Sequence, residues 1–557
     1  KISMAAPLLI NLVSMAPVLH LKSGLISCEQ DEGIIACTGI PYATPPLGEL
    51  RWRPPQPAPP WPHVRAATAA APCCTEAEDC LYLNVYSPAP PAPPARLPVM
   101  VFIHGGAFVV GCGASYAGGA LAAAAARLGA PVVVVTLNYR LGALGFLGAD
   151  ALRARDAPRR GTGNWGVEDQ RLALLWVQQN ILAFGGDASR VTIFGESAGA
   201  ASVSVHLASA ASAGLFHAAI LESGAFQRWN AIPPHYAQAQ ARLFAQQLGC
   251  ANESAVDCLL SKSWGELHAA SLVATPVWFA QQWAPVVDGA TLTAEPFFAV
   301  GQLPASVPVI MGYNTDELNP SVPATADGMR PCCNNNVPHD IGFAGFASYA
   351  RGSFWSQWVL GASTDSPRLA AALEAYRDVF HARGAWWAAR KLMNGVQFFC
   401  ATQRAARLRG RAGRAWLYRF DRSPQPADAW AGVSHGDELP FVFATADARA
   451  TPEGAALSDA IVRYWTRFAT HGDPNGIARR SGGGGDWWPA ALSAGTLHEA
   501  VLNASIQIER PVEENHCAAI IEALELRKFP SHEEQDVPLD SRLVETQAQD
   551  DHQDPGK

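Results

Sequence analysis

Apolar residues run almost without interruption through positions 99–103 and 131–137. Strands buried on both faces of a parallel sheet carry that pattern, because helices cover both of their sides. Ala-rich sequence at 121–128 lies between the two runs and predicts a connecting helix. Residues 170–184 repeat apolar positions at helical spacing and stop at Gly185-Gly186, which predicts an amphipathic helix. A β-branched apolar run then leads from Val191 to Phe194. Residues 217–222 and 307–312 extend the same sheet, 349–408 is helix-rich, 416–420 is a strand and 457–470 a helix. Near the start, Leu25-Ile26-Ser27 and Ile34-Ile35-Ala36 flank Asp31-Glu32-Gly33 and predict a small antiparallel hairpin. Pro-rich stretches at 41–62 and 88–98 predict irregular surface loops, with a strand at 79–86 between them. Strand alternating with helix over most of the chain gives an α/β fold with a mixed, mainly parallel sheet. No repeat or clean linker divides it, so one domain is expected over residues 18–528. Residues 529–557 are polar, acidic and poor in aromatics, and predict a disordered tail.

Composition changes the picture in two ways. With 49% apolar and 16% charged residues among 557, the chain can bury a large core. The net charge of −8 and the lack of a basic cluster argue against a nucleic-acid partner. Twelve cysteines exceed what a cytosolic enzyme normally carries, and their spacing does not resemble paired zinc knuckles. No metal or organic cofactor is implied. Asn252-Glu253-Ser254 and Asn503-Ala504-Ser505 are glycosylation acceptor sequences. The apolar run from Met4 to Leu19, with Ser14-Met15-Ala16 as a small-residue cleavage point, predicts a signal-peptide remnant over residues 1–17. No later run reaches 18 uninterrupted apolar residues, so no transmembrane span is expected. A secreted or lumenal protein fits these features best.

Chemistry enters at Gly195-Glu196-Ser197-Ala198-Gly199, which follows the 191–194 strand and precedes small, helix-permissive residues. Strand, sharp turn and helix are what a nucleophile elbow needs, with glycines two before and two after the serine leaving room for it. Such pentads recur in ordinary turns, so a base, an acid and an oxyanion hole must accompany this one. His104-Gly105-Gly106-Ala107-Phe108 stands at the exit of the 99–103 strand, where freed backbone N–H groups can bind a developing oxyanion. Ala198, beside the serine at the helix start, offers a further N–H in a favourable dipole. Eight histidines follow residue 312; His435 is singled out because Gly432-Val433-Ser434-His435-Gly436-Asp437 is a flexible loop after a strand. The acid is Glu317 or its neighbour Asp316, and only one of the two can face the histidine. The order serine, acid, histidine is that of α/β-hydrolases.

These segments resemble the type-B carboxylesterase/lipase family, which includes cholinesterases and animal carboxylesterases. The likeness spans roughly residues 18–525. It is carried by Gly39-Ile40-Pro41-Tyr42-Ala43, Glu78-Asp79-Cys80-Leu81-Tyr82-Leu83-Asn84-Val85, Asn138-Tyr139-Arg140-Leu141-Gly142, Phe184-Gly185-Gly186-Asp187, residues 194–200 and residues 435–443. The resemblance implies the α/β-hydrolase fold, a triad of Ser197, Glu317 and His435, and oxyanion donors Gly106, Ala107 and Ala198, with Gly105 a further candidate. It also implies hydrolysis of small-molecule esters through an acyl-enzyme. The implied pairings are Cys80 with Cys73 or Cys74, Cys250 with Cys258, and Cys400 with Cys517; the resemblance assigns no partner to Cys28, Cys37, Cys112, Cys332 or Cys333. Trp278 and Trp283 precede Ala284-Pro285-Val286-Val287, where relatives build an acyl pocket.

Three departures matter. The family's third oxyanion glycine is Ala107. The family's Asp-Glu-Gly becomes Asp316-Glu317-Leu318. The loop Cys73-Cys74-Thr75-Glu76-Ala77-Glu78-Asp79-Cys80 is too short for the tryptophan that binds choline in cholinesterases by cation–π contact. A general carboxylesterase is therefore expected ahead of a lipase-like or cholinesterase-like enzyme, with a non-catalytic adhesion relative as the alternative of another class. Because His435 must be neutral to act, activity is expected to fall as pH drops through roughly 6–7.

Overall fold

The computed structural model describes residues 17–89, 96–251, 255–273, 283–318, 322–325, 328–330, 342–345, 347, 367–422, 432–476, 487–511 and 514–525. Asn252 and Trp278 lie outside the described residues, as do the N-terminal residues 1–16, Cys332, Cys333 and the tail.

Eleven strands make the central sheet: β1 (Glu29–Asp31), β2 (Ile34–Pro41), β3 (Tyr82–Pro88), β4 (Leu97–Ile103), β5 (Val133–Leu137), β6 (Gly186–Glu196), β7 (Ala218–Glu222), β8 (Val309–Asn314), β9 (Ala415–Phe420), β10 (Glu499–Leu502) and β11 (Gln507–Glu509). Their spatial order is β1-β2-β3-β5-β4-β6-β7-β8-β9-β10-β11. Every neighbouring pair from β5 to β10 is parallel, and the pairs nearer the two edges are antiparallel. The all-apolar runs sit in the parallel centre: Val133 to Leu137 is wholly buried, as is Val309 to Asn314. Helices close both faces, and the core divides into two clusters, one on each side of the sheet. This is the α/β-hydrolase architecture.

The helices that matter for the site are α1 (Gly118–Arg127), α2 (Trp165–Asn180), α3 (Ala198–Ala208), α4 (Ala385–Asn394), α5 (Cys400–Gly410), α6 (Pro452–His471) and α7 (Glu514–Glu525). Helix α2 begins earlier than its amphipathic pattern predicts. Its first residues, from Trp165 to Gln170, are all buried, polar Glu168, Asp169 and Gln170 included, so they break the apolar-in, polar-out pattern. Asp169 in that turn holds Arg140 at 2.7 Å, and both side chains are enclosed. Gly185, at φ +76°, takes the left-handed C-cap that ends the following short 3₁₀ turn.

The expected N-terminal hairpin is corrected. Gly24–Ser27 pairs with Val18–Leu21 in a separate small sheet, whereas β2 pairs with β1 and β3. Two adjacent hairpins share the stretch, because the turn at Glu32 and Gly33 closes only on the residues directly beside it. Among the described residues five disulfides are formed: Cys28–Cys37, Cys73–Cys112, Cys74–Cys80, Cys250–Cys258 and Cys400–Cys517. Cys80 thus takes Cys74, freeing Cys73 for Cys112. Among the described residues, no helix is long and apolar enough to cross a membrane, and no group of histidine, cysteine and carboxylate side chains could hold a metal ion.

Candidate active site

Strand β6 ends at Glu196 and helix α3 begins at Ala198, leaving Ser197 alone to make the turn. Its backbone sits at φ +56° and ψ −122°, a conformation that costs a non-glycine residue on the order of 1–3 kcal/mol. Packing enforces it. A Cβ on Gly195 would lie 2.6 Å from Ile103 O, and one on Gly199 would collide with the same carbonyl. The Ser197 N–H donates to Glu222 O at 2.9 Å, fixing the elbow against β7. Ser197 itself is half-buried.

Beside it, residues 104–111 leave β4. Gly105 fits against the elbow so closely that a Cβ there would meet Glu196 Oε2 at 2.7 Å and Ser197 Cβ at 3.0 Å. Gly106, Ala107 and Phe108 all hold positive φ, at +100°, +53° and +60°. The N–H groups of Gly106 and Ala107 have no partner among the described residues, and Ala198 N–H is among the first four that any helix leaves open. His104 is enclosed beneath the loop, stacked on Tyr139 with centroids 4.4 Å apart. Burial pushes its pKa down to about 4, and its Nδ1 bonds Gly105 O at 2.8 Å, so it is a neutral structural imidazole.

The loops that carry Glu317 and His435 are laced together. Asp316 N–H donates to Val433 O at 2.9 Å and His435 N–H to Glu317 O at 3.0 Å. His435 Nδ1 lies 2.6 Å from Glu317 Oε2. Glu317 Oε1 accepts from Asn314 N–H at 2.8 Å, leaving that carboxylate buried but solvated by protein. Asp316, the sequence rival, faces elsewhere and lies 3.5 Å from the enclosed guanidinium of Arg390 on α4. Leu318 N–H donates to Asn394 Oδ1 at 2.8 Å, so α4 grips both ends of the acid turn. A π-helical turn, Gly395–Phe399, follows α4 and brings Phe398 to 5.0 Å from the His435 ring.

His435 comes to the elbow at Glu196, the residue before Ser197. Among the described residues Ser197 Oγ makes no hydrogen bond, and His435 Nε2 faces Glu196 Oε1 at 3.0 Å. That approach is an ion-pair contact and not a hydrogen bond, since Glu196 Oε1 has no bonded partner in suitable alignment. Catalytic hydrogen bonds often tighten only when substrate binds.

Four glutamates surround this point, and all are buried: Glu196, Glu222, Glu317 and Glu438. Burial raises three of them, Glu196 to about 7, Glu222 to about 8 and Glu438 well above its ordinary value. Trp465 Nε1–H donates to Glu222 at 2.7 Å and Asn314 Nδ2–H to Glu438 at 2.5 Å. His435 loses from its own burial, but Glu196 first and Glu317 next lift it further, to about 10. Those shifts are linked. When Glu196 holds a proton, the strongest lift on His435 is gone, so the charge of the carboxylate governs how readily the imidazole holds its proton. His435 is thereby held above the ordinary histidine range. Sequence reading missed Glu222 and Glu438; the only signal for Glu222 was a carboxylate closing the apolar run 218–221.

Trp283 is enclosed, edge-to-face on Phe244 at 5.7 Å, and its Nε1–H donates to Ser271 O at 2.9 Å. Asn503 is half-buried, with its amide 3.5 Å from Asp421.

Fold and elbow define an α/β-hydrolase. The sequence model of the Carboxylesterase family matches residues 16–520. Carboxylesterase 1C of Rattus norvegicus is 33% identical over 493 residues, covering 79% of this chain and 81% of that protein. Cocaine esterase of Oryctolagus cuniculus is 33% identical over 500 residues, covering 82% and 87%. A solved PNB esterase aligns with a TM-score of 0.73 at 32% identity over 90% of this chain and 99% of its own. The chain belongs to the carboxylesterase family, and it is a serine carboxylic-ester hydrolase.

Proposed function

We propose that Ser197 is the nucleophile, His435 its base and Glu317 the acid that orients the imidazole. The observation that carries this reading is the 2.6 Å contact between Glu317 Oε2 and His435 Nδ1, made beside a serine held at φ +56°. With Nδ1 bonded to Glu317, Nε2 is left to take the Ser197 proton as Oγ attacks the ester carbonyl. The tetrahedral oxyanion is held by the N–H groups of Gly106, Ala107 and Ala198, with Gly105 supplying space. The alcohol leaves with the proton from His435, and water cleaves the acyl-enzyme by the same route in reverse. Residues 18–528 act as one catalytic unit. Relatives named carboxylesterase and cocaine esterase support small esters as substrates, and the short 74–80 loop supports a general carboxylesterase over a cholinesterase. Five disulfides support a secreted or lumenal setting.

A fluorophosphonate should label Ser197 in the wild type and leave Ser197→Ala unlabelled. The same variant should lose roughly 10⁴-fold or more of kcat on a short acyl ester; survival of activity overturns the assignment. Trp283→Ala tests the acyl pocket. A changed acyl-length preference supports the role, whereas an unchanged preference with a stability loss of about 3–5 kcal/mol marks a core residue.

A further inference from the structure

The loop from His104 to Cys112 is held in a shape that its own sequence disfavours. Of its three consecutive left-handed residues only Gly106 is a glycine; Ala107 and Phe108 must be forced there by their neighbours. On the inner side the restraints are ordinary packing and hydrogen bonds. Tyr139 OH donates to His104 O at 2.8 Å and Gly142 N–H to Phe108 O at 2.7 Å. The Phe108 ring is enclosed against Phe146, with centroids 4.8 Å apart. The outer side has no such cover among the described residues: Ala107 and Val110 are exposed to solvent.

There the restraint is covalent. Cys112 is bonded to Cys73. The residues beside the two cysteines are joined as well, because Asn138 Oδ1 accepts from Gly113 N–H at 2.8 Å while its Nδ2–H donates to Pro72 O at 3.0 Å. The far end of the crosslink is itself anchored. Cys74 is bonded to Cys80 at the foot of β3. Glu78 takes Arg51 in a bidentate pair at 2.6 and 2.7 Å, and both side chains are nearly enclosed.

We propose that the Cys73–Cys112 disulfide is a positioning crosslink for the oxyanion loop, fixing the Gly106 and Ala107 N–H groups where the tetrahedral intermediate needs them. This rests on the oxyanion reading above. An oxyanion exists only in the transition state and intermediate, so a loosened loop lowers kcat and leaves substrate affinity nearly unchanged.

The test is the double variant Cys73→Ser/Cys112→Ser, with Cys250→Ser/Cys258→Ser as a disulfide control away from the loop. We expect kcat to fall about 10-fold in the first, in line with the sensitivity of catalysis to small misplacements. KM should stay within about twofold, and the acid limb of the pH profile should not move because His435 and Glu317 are untouched. Adding Ala107→Gly should restore about threefold or more of kcat, since glycine holds the left-handed conformation without the crosslink. An unchanged kcat overturns the proposal, and so does a loss that Ala107→Gly fails to recover or that the control pair matches. If the double variant does not fold, limited reduction of the folded wild type takes its place, with alkylated Cys73 and Cys112 located by mass spectrometry. A kcat unaffected by opening that bond overturns the proposal equally. Fluorophosphonate labelling of wild-type Ser197 separates the two levels. If labelling fails, the triad reading falls; if it succeeds while the crosslink variant keeps full kcat, only the crosslink role falls.

Discussion

Glu196 and His435 face each other at 3.0 Å, one raised by burial and the other raised by the first. With His435 as the proposed base, its neutral form is the one that acts. Its folded pKa lies above the usual 6.5, so activity is lost as pH falls through that raised value, and the acid limb lies higher than an isolated histidine would set it. Glu196→Gln removes the largest raising influence. We expect the acid limb of kcat/KM to move to lower pH, toward the ordinary histidine range. An acid limb that stays put, or moves up, in a pH–rate profile of this variant refutes the coupling. Glu317→Gln also removes a charge, but it breaks the Nδ1 contact as well and should depress the pH-independent rate.

At the scale of elements, the site is made by two tight junctions. One is the turn from β6 to α3, where the helix start presses on the end of β4. Gly199→Ala sets a Cβ against Ile103 O, so either the helix or the strand end must shift. We expect a loss of about 3 kcal/mol or more, read as a lowered denaturation midpoint, together with most of the activity. A variant of wild-type stability shows that the elbow has more room than its packing indicates. The other junction is α4 with its π-turn. Arg390 and Asn394 hold the acid loop while Phe398 contacts the His435 ring. Asp316 therefore has a structural task beside Glu317, taking Arg390 while its backbone holds the histidine loop.

Across the whole molecule, parallel strands gather distant residues. β4, β6 and β8 run side by side in the same direction as β7, so residues 104–107, 197 and 317 leave the sheet at one edge. His435 joins them from the loop after β9. Open α/β sheets bind ligands at that carboxyl edge. Behind the π-turn, Cys400–Cys517 ties α5 to α7 across 117 residues of sequence. The chain-entropy account gives about 4–5 kcal/mol for a closure of that length. Cys400→Ala/Cys517→Ala should lower the urea midpoint accordingly while kcat stays near wild type, provided the assay temperature is well below the melting point. Equal stability with and without the bond shows that packing of α7 on α5 suffices.

The sequence by itself determined the local grammar. Continuous apolar runs marked the central strands, glycines flanked Ser197, and Glu317 and His435 fell on loops after strands. Each of those signals arises from a residue's own geometry or from a periodicity only a few residues long. Tertiary structure decided what depends on neighbours remote in the chain. It separated Glu317 from Asp316 by direction, assigned Cys74 to Cys80 and Cys73 to Cys112, and gave β2 a partner other than Gly24–Ser27. It also set the proton balance, because the charge of a buried carboxylate answers to desolvation and to other charges. Glu196, Glu222 and Glu438 acquire both only when β6, β7 and the histidine loop converge on one point.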